Sequence, residues 1–225
     1  MDVYFTRPHA SHERGSKDTI TYRFPYTIPK GDFSLMDRNC KLSHVTKSYL
    51  DYYYDILNTM ICDMTTVHLT NSISDNFIKQ MIPHHLAAIK MSENILQYTT
   101  NLQLQSIATN IISEQTKSIS NMLTIQCKCS TLTNPDYELF LYMKNFNKIA
   151  ETMFMRMGSA TITNDINANF MREMIPHHEG AVGMSNNALM FNICPELKPI
   201  LYAIITSQCK GIKQMQQLLR QLDNC

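Results

Sequence analysis

The chain has 225 residues and a formal net charge of +1. So even a balance builds no field to gather a polyanion, which argues against nucleic acid as a partner. No apolar run approaches the roughly 20 residues that span a bilayer, and the start (Met1-Asp-Val-Tyr-Phe-Thr) lacks the basic opening and apolar stretch of an export signal, so no membrane is expected and the chain as written reads as cytoplasmic.

Residues 1–45 carry Pro8, Gly15, Pro25, Pro29 and Gly31 among scattered polar residues. No long helix fits there, and an irregular N-terminal arm is expected. From about Thr46 to His68, apolar residues fall at Leu50, Tyr53, Leu57, Met60, Ile61 and Met64, the spacing of an amphipathic helix. Polar residues from Asn71 to Asp75 offer caps for a second helix, Phe77 to about Tyr98, with a kink expected at Pro83. A third run, Leu102 to about Cys127, sets Leu104, Ile107, Ile111, Ile112, Ile119, Met122 and Leu123 mainly on one side. The plan then repeats. Asn134-Pro135 reads as a cap followed by proline at the first helical position of a helix ending near Gly158, the next helix begins near Asn169-Phe170, and the last opens at Cys194-Pro195-Glu196. No strand-type alternation interrupts this series. The fold class is therefore all-α, built as two tandem three-helix repeats over residues 46–130 and 134–222.

The repeat is legible residue by residue. Met81-Ile-Pro-His84-His85 followed by Met91 recurs as Met174-Ile-Pro-His177-His178 followed by Met184, an offset of 93 residues (81 to 174) that also relates Met60 to Met153, Gln115 to Gln208 and Met122 to Met215. One register kept over that length means two copies of one structural unit. With about 100° per residue, Met81, His84, His85 and Met91 fall within about one third of a helix circumference, as do Met174, His177, His178 and Met184. Met60 and Met64 stack at i, i+4, as do Met153 and Met157, while Met122 and Met215 each share a face with a glutamine seven residues earlier. His68 continues the first stripe, but Thr161 stands at its counterpart, so it is at best accessory.

Thioether sulfur is soft and uncharged, and with imidazole it suits Cu(I), with Ag(I) as an in vitro analogue, better than zinc. Two plainer readings compete with it. Methionine at helical spacing is commonly flexible core filler, and a His-His pair behind proline can hydrogen-bond the carbonyl that proline leaves free one turn back. The seven cysteines are odd in number and contain no CxxC pair, which argues against a disulfide framework and a zinc ribbon and leaves reduced thiols as the expectation. Cys62 and Cys209 point away from the shared face by helical arithmetic, and Cys127, Cys129 and Cys225 would bind metal or cross-link only in an oxidising compartment.

The pattern Asn-Phe-x-x-x-Met-Ile-Pro-His-His-x-x-Ala-x-x-Met-Ser, with Ile-Ile-x-x-Gln-x-Lys-x-Ile-x-x-Met downstream, is present in both halves. It resembles the bacterial family labelled domain of unknown function 305, over roughly residues 46–222. The resemblance implies a ferritin-like antiparallel helical bundle and, from a copper-resistance member of the family, binding of Cu(I) and Ag(I) through Met and His. Carried over by position, the implied ligands are Met81, His84, His85, Met91, Met174, His177, His178 and Met184. Met60, Met64, Met122, Met153, Met157 and Met215 follow less directly. The sequence departs from the family pattern at Lys117 and Lys210, near the downstream glutamine where an acidic residue is usual, and in lacking the export signal that family members often carry.

A non-catalytic metal-binding protein is the leading expectation, with the metal ion as its partner and a homo-oligomer left open. A ferritin-like di-iron enzyme would need inward carboxylates with Glu-x-x-His motifs. Glu173 and Glu179 have Gln80 and Leu86 as counterparts, so no duplicated carboxylate set exists. The alternative is a structural or interaction bundle whose methionine-rich faces pack helices or a partner without metal.

Overall fold

A computed structural model describes residues 42–223. The arm expected at 1–45 lies almost wholly outside that range. Six helices run in order: α1 His44–Thr66, α2 Ile73–Leu96, α3 Leu102–Cys129, α4 Asp136–Gly158, α5 Ile166–Leu189 and α6 Leu197–Asp223. Among the described residues the fold is all-helical, and no helix is long and apolar enough to cross a membrane.

Local chemistry sets the helix starts. Ser43, Ser72, Asn101 and Asp165 each accept a hydrogen bond from a first-turn amide, at 3.0, 3.3, 3.0 and 3.1 Å, satisfying donors that a bare helix end leaves free. α4 lacks such a cap and begins after Pro135, with Asp136 and Glu138 in its first turn where the helix dipole favours negative charge. Caps at Ser72 and Asp165 start α2 and α5 several residues before the expected Phe77 and Asn169. α6 begins after Pro195 and Glu196 rather than on them. α2 and α5 continue unbroken through Pro83 and Pro176.

α2 and α5 form the centre. α2 packs on α1, α3 and α5, while α5 packs on α4, α6 and α2, and α3 meets α6. Burial follows that placement: 16 of the 24 residues of α2 are buried, against 7 of the 28 in α3. A surface helix hides one stripe, whereas a central helix is covered on most sides. Leu123, expected on the inner face of α3, is instead exposed. A single hydrophobic core joins residues from all six helices, so the two halves of the sequence share one interior.

Two pairs of buried asparagines in the two halves are satisfied by matching bonds. Asn94 Nδ2 donates to the Tyr49 carbonyl at 3.1 Å, and Asn187 Nδ2 to the Tyr142 carbonyl at 3.0 Å. From the first turns of α2 and α5, Asn76 and Asn169 each bridge both backbone groups of a threonine in the preceding loop, Thr70 and Thr163. Such two-point amide bonds fix a loop that would otherwise bury unpaired backbone. Other bonds cross between the halves: Tyr49 OH donates to Glu173 Oε2 at 2.7 Å, Tyr142 OH to Gln80 Oε1 at 3.3 Å, and Tyr53 OH to the Met157 carbonyl at 3.1 Å.

At one end, Asn134 ties three segments together through Asn71 O, Ile73 N and Asn192 O. There the expectation of reduced thiols fails. Cys129 at the end of α3 and Cys194 before α6 form a disulfide, with Cα atoms 5.2 Å apart. The pair lies outside the repeat register, with Leu222 and Asn101 at the matching positions, so duplication gave no hint of it. Cys62 and Cys127 are exposed free thiols and Cys209 is partly covered.

Candidate metal centre

The repeated motifs meet where α2 and α5 pack. Each His-His pair follows a proline in the middle of its helix, and both pairs point into the shared interior, with His84, His85 and His177 fully buried and His178 2% exposed. The rings of His84 and His177 lie 3.7 Å apart between centroids at an interplanar angle of 34°. His85 lies 5.9 Å from His84, and His178 lies 6.0 Å from His177. Four imidazoles from sequence positions 93 residues apart thus form one row.

The His178 ring faces the Met174 carbonyl one turn back on its own helix, while the contacts of the other three run elsewhere. His84 Nε2 lies 3.3 Å from the Met153 sulfur on α4. His177 Nε2 lies 3.1 Å from the His84 carbonyl oxygen, and because a carbonyl only accepts, that nitrogen is the protonated one. The lone pair of His177 therefore sits on Nδ1, which is buried without a hydrogen-bond partner among the described residues, as is Nδ1 of His84 and of His85. His85 Nε2 pairs with Ser118 Oγ at 3.0 Å. Leaving a buried polar atom unpaired costs about 1–3 kcal/mol, so several together in one core mark a place for an ordered water or an ion.

Burial keeps these rings neutral. It lowers the His177 pKa to about 4 and, with the charge of His177 adding, that of His85 to about 3. His84 and His178 are held well below the usual imidazole range, first by burial and then by the neighbouring imidazoles. A neutral imidazole offers a lone pair to a metal, whereas an imidazolium does not. One turn before His177, the buried Glu173 has its pKa raised to about 8 by burial, partly offset by the bond from Tyr49. At neutral pH its carboxyl is thus mostly protonated, and the donor set is uncharged.

All the methionines singled out in the sequence are in the core: Met60, Met64, Met81, Met91, Met122, Met153, Met157, Met174, Met184 and Met215 are each at most 2% exposed. Of these, Met153 makes the imidazole contact. Its counterpart Met60 is buried in the same core without a hydrogen-bonding contact of that kind among the described residues. His68, expected to extend the first stripe, lies past the end of α1 and is exposed.

Two further features escaped the sequence reading. Gln115 and Gln208 are buried, with Oε1 atoms that have no partner among the described residues, and they line a cavity of about 190 Å³ together with His85 and Ser118. Their shared register was visible, but not the α3–α6 packing that joins them. At Gly211, the counterpart of Ser118, a Cβ would stand 2.9 Å from His178 Cδ2. The ring fills the space of the missing side chain, so serine and glycine at matching positions seat their histidines differently.

The profile of the family described as "Domain of unknown function (DUF305)" matches residues 60–126 and 74–219. The chain belongs to this family. Similar solved structures include CopM in the Cu(II)-bound form, 31% identical, covering 66% of this chain and 97% of that one with a TM-score of 0.50. CopM in the Ag-bound form by soaking is 30% identical, covering 68% and 98%, with a TM-score of 0.49. A DUF305 fragment from Deinococcus radiodurans is 20% identical, covering 66% and 96%, with a TM-score of 0.48. A comparison with curated proteins finds no match.

Proposed function

We propose that this protein is a non-catalytic binder of a soft monovalent metal ion, Cu(I) or Ag(I), which it sequesters at the row of imidazoles between α2 and α5. His84, His85, His177 and His178 are the nitrogen donors. Met153 is the first sulfur donor, with Met60, Met64, Met81, Met91, Met122, Met157, Met174, Met184 and Met215 as the surrounding thioethers from which further ligands are drawn. The observation that carries this reading is the stacked, neutral His84–His177 pair with unpartnered Nδ1 atoms, one ring already 3.3 Å from a thioether.

Charge and softness choose the ion. The donors are neutral and buried, and every added unit of ionic charge raises the cost of leaving water. A monovalent ion therefore suits them better than a divalent one. Thioether favours Cu(I) over zinc, and imidazole serves either oxidation state of copper. The similarity to CopM, whose structure in a Cu(II)-bound form is known, supports copper as the element, while the buried sulfur favours the reduced ion here. No reaction is required of such a site, and the single buried carboxyl on α5 faces no matching carboxyl on α2, where Gln80 stands.

The test is a competition titration of reduced protein with Cu(I) against a chromogenic chelator, beside the variant with His84, His85, His177 and His178 changed to alanine. Tight binding that the variant loses is expected. Binding that is absent, or unchanged in the variant, would leave a structural bundle with a methionine-rich core.

A further inference from the structure

The imidazoles are buried, so an ion needs a route to them; the smaller α3–α6 cavity touches only His85 at one end of the row. A groove of about 530 Å³ between α4 and α5 leads inward from solvent. Its rim carries exposed Lys148, Thr152 and Asn186, and an ion pair between Arg156 and Glu179. Its floor is Met153, Pro176 and Gly180. Met153 is thus shared between groove and centre: its sulfur lies where a Gly180 side chain would begin, 2.2 Å from an ideal Cβ, and also 3.3 Å from His84 Nε2. Behind it are the unpartnered Nδ1 atoms of His84 and His177.

The other copy of the motif is built differently. At the positions of Glu179, Gly180 and Gly183 in α5, α2 carries Leu86, Ala87 and Lys90. α2 thus carries side chains at the two positions where α5 has glycine.

Resting on the function proposed above, we propose that the α4–α5 groove is the port through which the soft ion reaches and leaves the imidazole row, with the Met153 thioether as its gate. Methionine suits that role, because three rotatable bonds let the sulfur swing while its polarisable electrons remain available to the ion. Side-chain rotation of this kind is fast compared with opening a bundle. The ion exchanges solvent ligands for the Met153 sulfur and then gains the His84 nitrogen, with no change in oxidation state. Loading and release through one port also mean that narrowing it slows both by the same factor and leaves the equilibrium untouched.

The experiment follows release of Cu(I) from loaded protein into excess chromogenic chelator by stopped-flow absorbance, with equilibrium affinity measured in parallel. Gly183→Leu fills the groove beside Ile149, whose Cγ2 is 3.1 Å from the position a Cβ would take. Asn186→Trp covers the rim from an exposed position and disturbs no core packing. Both variants are expected to slow release by about tenfold or more, equivalent to about 1.4 kcal/mol of barrier, with affinity within about twofold of wild type. Lys90→Leu, at the matching site of α2, is expected to leave the rate unchanged. Release at the wild-type rate in Asn186→Trp and in folded Gly183→Leu, or equal slowing by Lys90→Leu, would overturn the port. Wild-type protein that binds no Cu(I) at equilibrium would remove the proposed function itself, a different failure read from the titration alone.

Discussion

Position 87 is alanine in the first copy of the His-His motif, and the matching position 180 is glycine in the second. Similar exchanges surround both copies: Gln80 against Glu173, Ser118 against Gly211, Lys90 against Gly183. The histidines, the prolines before them and the Asn–Tyr clamps are kept, so the two copies bury the same donors in different surroundings. The comparison teaches that duplication built the row of imidazoles, while divergence at small and polar neighbours gives the two copies different contacts. On α2, His84 looks across to a thioether of the other half. On α5, His177 bonds to the His84 backbone, and His84 in turn faces the His177 backbone, so the thioether contact is what sets His84 apart.

The largest effect that would break this comparison comes from the stacked pair. Changing His84 and His177 together to alanine should weaken Cu(I) binding by roughly 100-fold or more, about 2.7 kcal/mol, in the chelator competition. If a variant with only His85 and His178 replaced loses as much, the stacked pair has no special place.

The thioethers sharpen the asymmetry. Met153→Leu and Met60→Leu are nearly volume-conserving and should each cost under about 1.5 kcal/mol of stability. Met153→Leu is expected to weaken binding by about tenfold, with Met60→Leu changing it far less. Equal losses would mean that both copies contribute sulfur alike.

Stability against pH separates Gln80 from Glu173. The Glu173 pKa is raised to about 8 by burial, so the folded protein holds a proton that the unfolded chain loses above the ordinary carboxyl range. Its contribution is present at low pH and lost as pH climbs through about 8. Glu173→Gln, which copies the other half, should therefore stabilise the fold most at pH 8 and above, by roughly 3–5 kcal/mol read as a higher melting temperature, and little near pH 5. The histidines act in the opposite sense. Their pKa values are lowered in the fold, to about 4 for His177 and about 3 for His85, so the unfolded chain takes up protons first and stability falls as pH drops below about 6.5. A Glu173→Gln protein whose melting temperature keeps the wild-type pH dependence above pH 5 would contradict the assignment.

The smallest expected effect is at Ser118. Ser118→Ala removes the hydrogen bond to His85 and should cost about 0.5–1.5 kcal/mol in a denaturant titration. Gly211→Ala, which brings a methyl to within 2.9 Å of the His178 ring, should cost about 1–3 kcal/mol by overpacking.

Much of this molecule can be read from its residues. Periodicity and caps mark six helices, and the 93-residue offset puts Met81 and Met174, His84 and His177, on equivalent faces. Helical arithmetic, however, fixes a side chain only relative to its own axis. Nothing in it says that His84 would meet Met153 from the other half, or that Tyr49 would reach Glu173, because those pairings depend on how α2 and α5 cross. Ser72 and Asp165 cap helices whose first turns are poor in strongly apolar residues at the expected spacing, so periodicity alone places the starts of α2 and α5 too late. The Cys129–Cys194 bond was hidden by a sound argument, an odd cysteine count, that does not forbid a single bridge. As for the site, burial of all fourteen singled-out residues could be anticipated, whereas the contact between His84 and Met153 could not.

The most direct measurement is X-ray absorption at the copper edge on Cu(I)-loaded wild type and Met153→Leu. Mixed nitrogen and sulfur scatterers in the wild type, with sulfur diminished in the variant, is the result predicted. Copper surrounded by nitrogen and oxygen alone, or by sulfur that the variant leaves intact, would contradict a centre shared between His84 of one half and Met153 of the other.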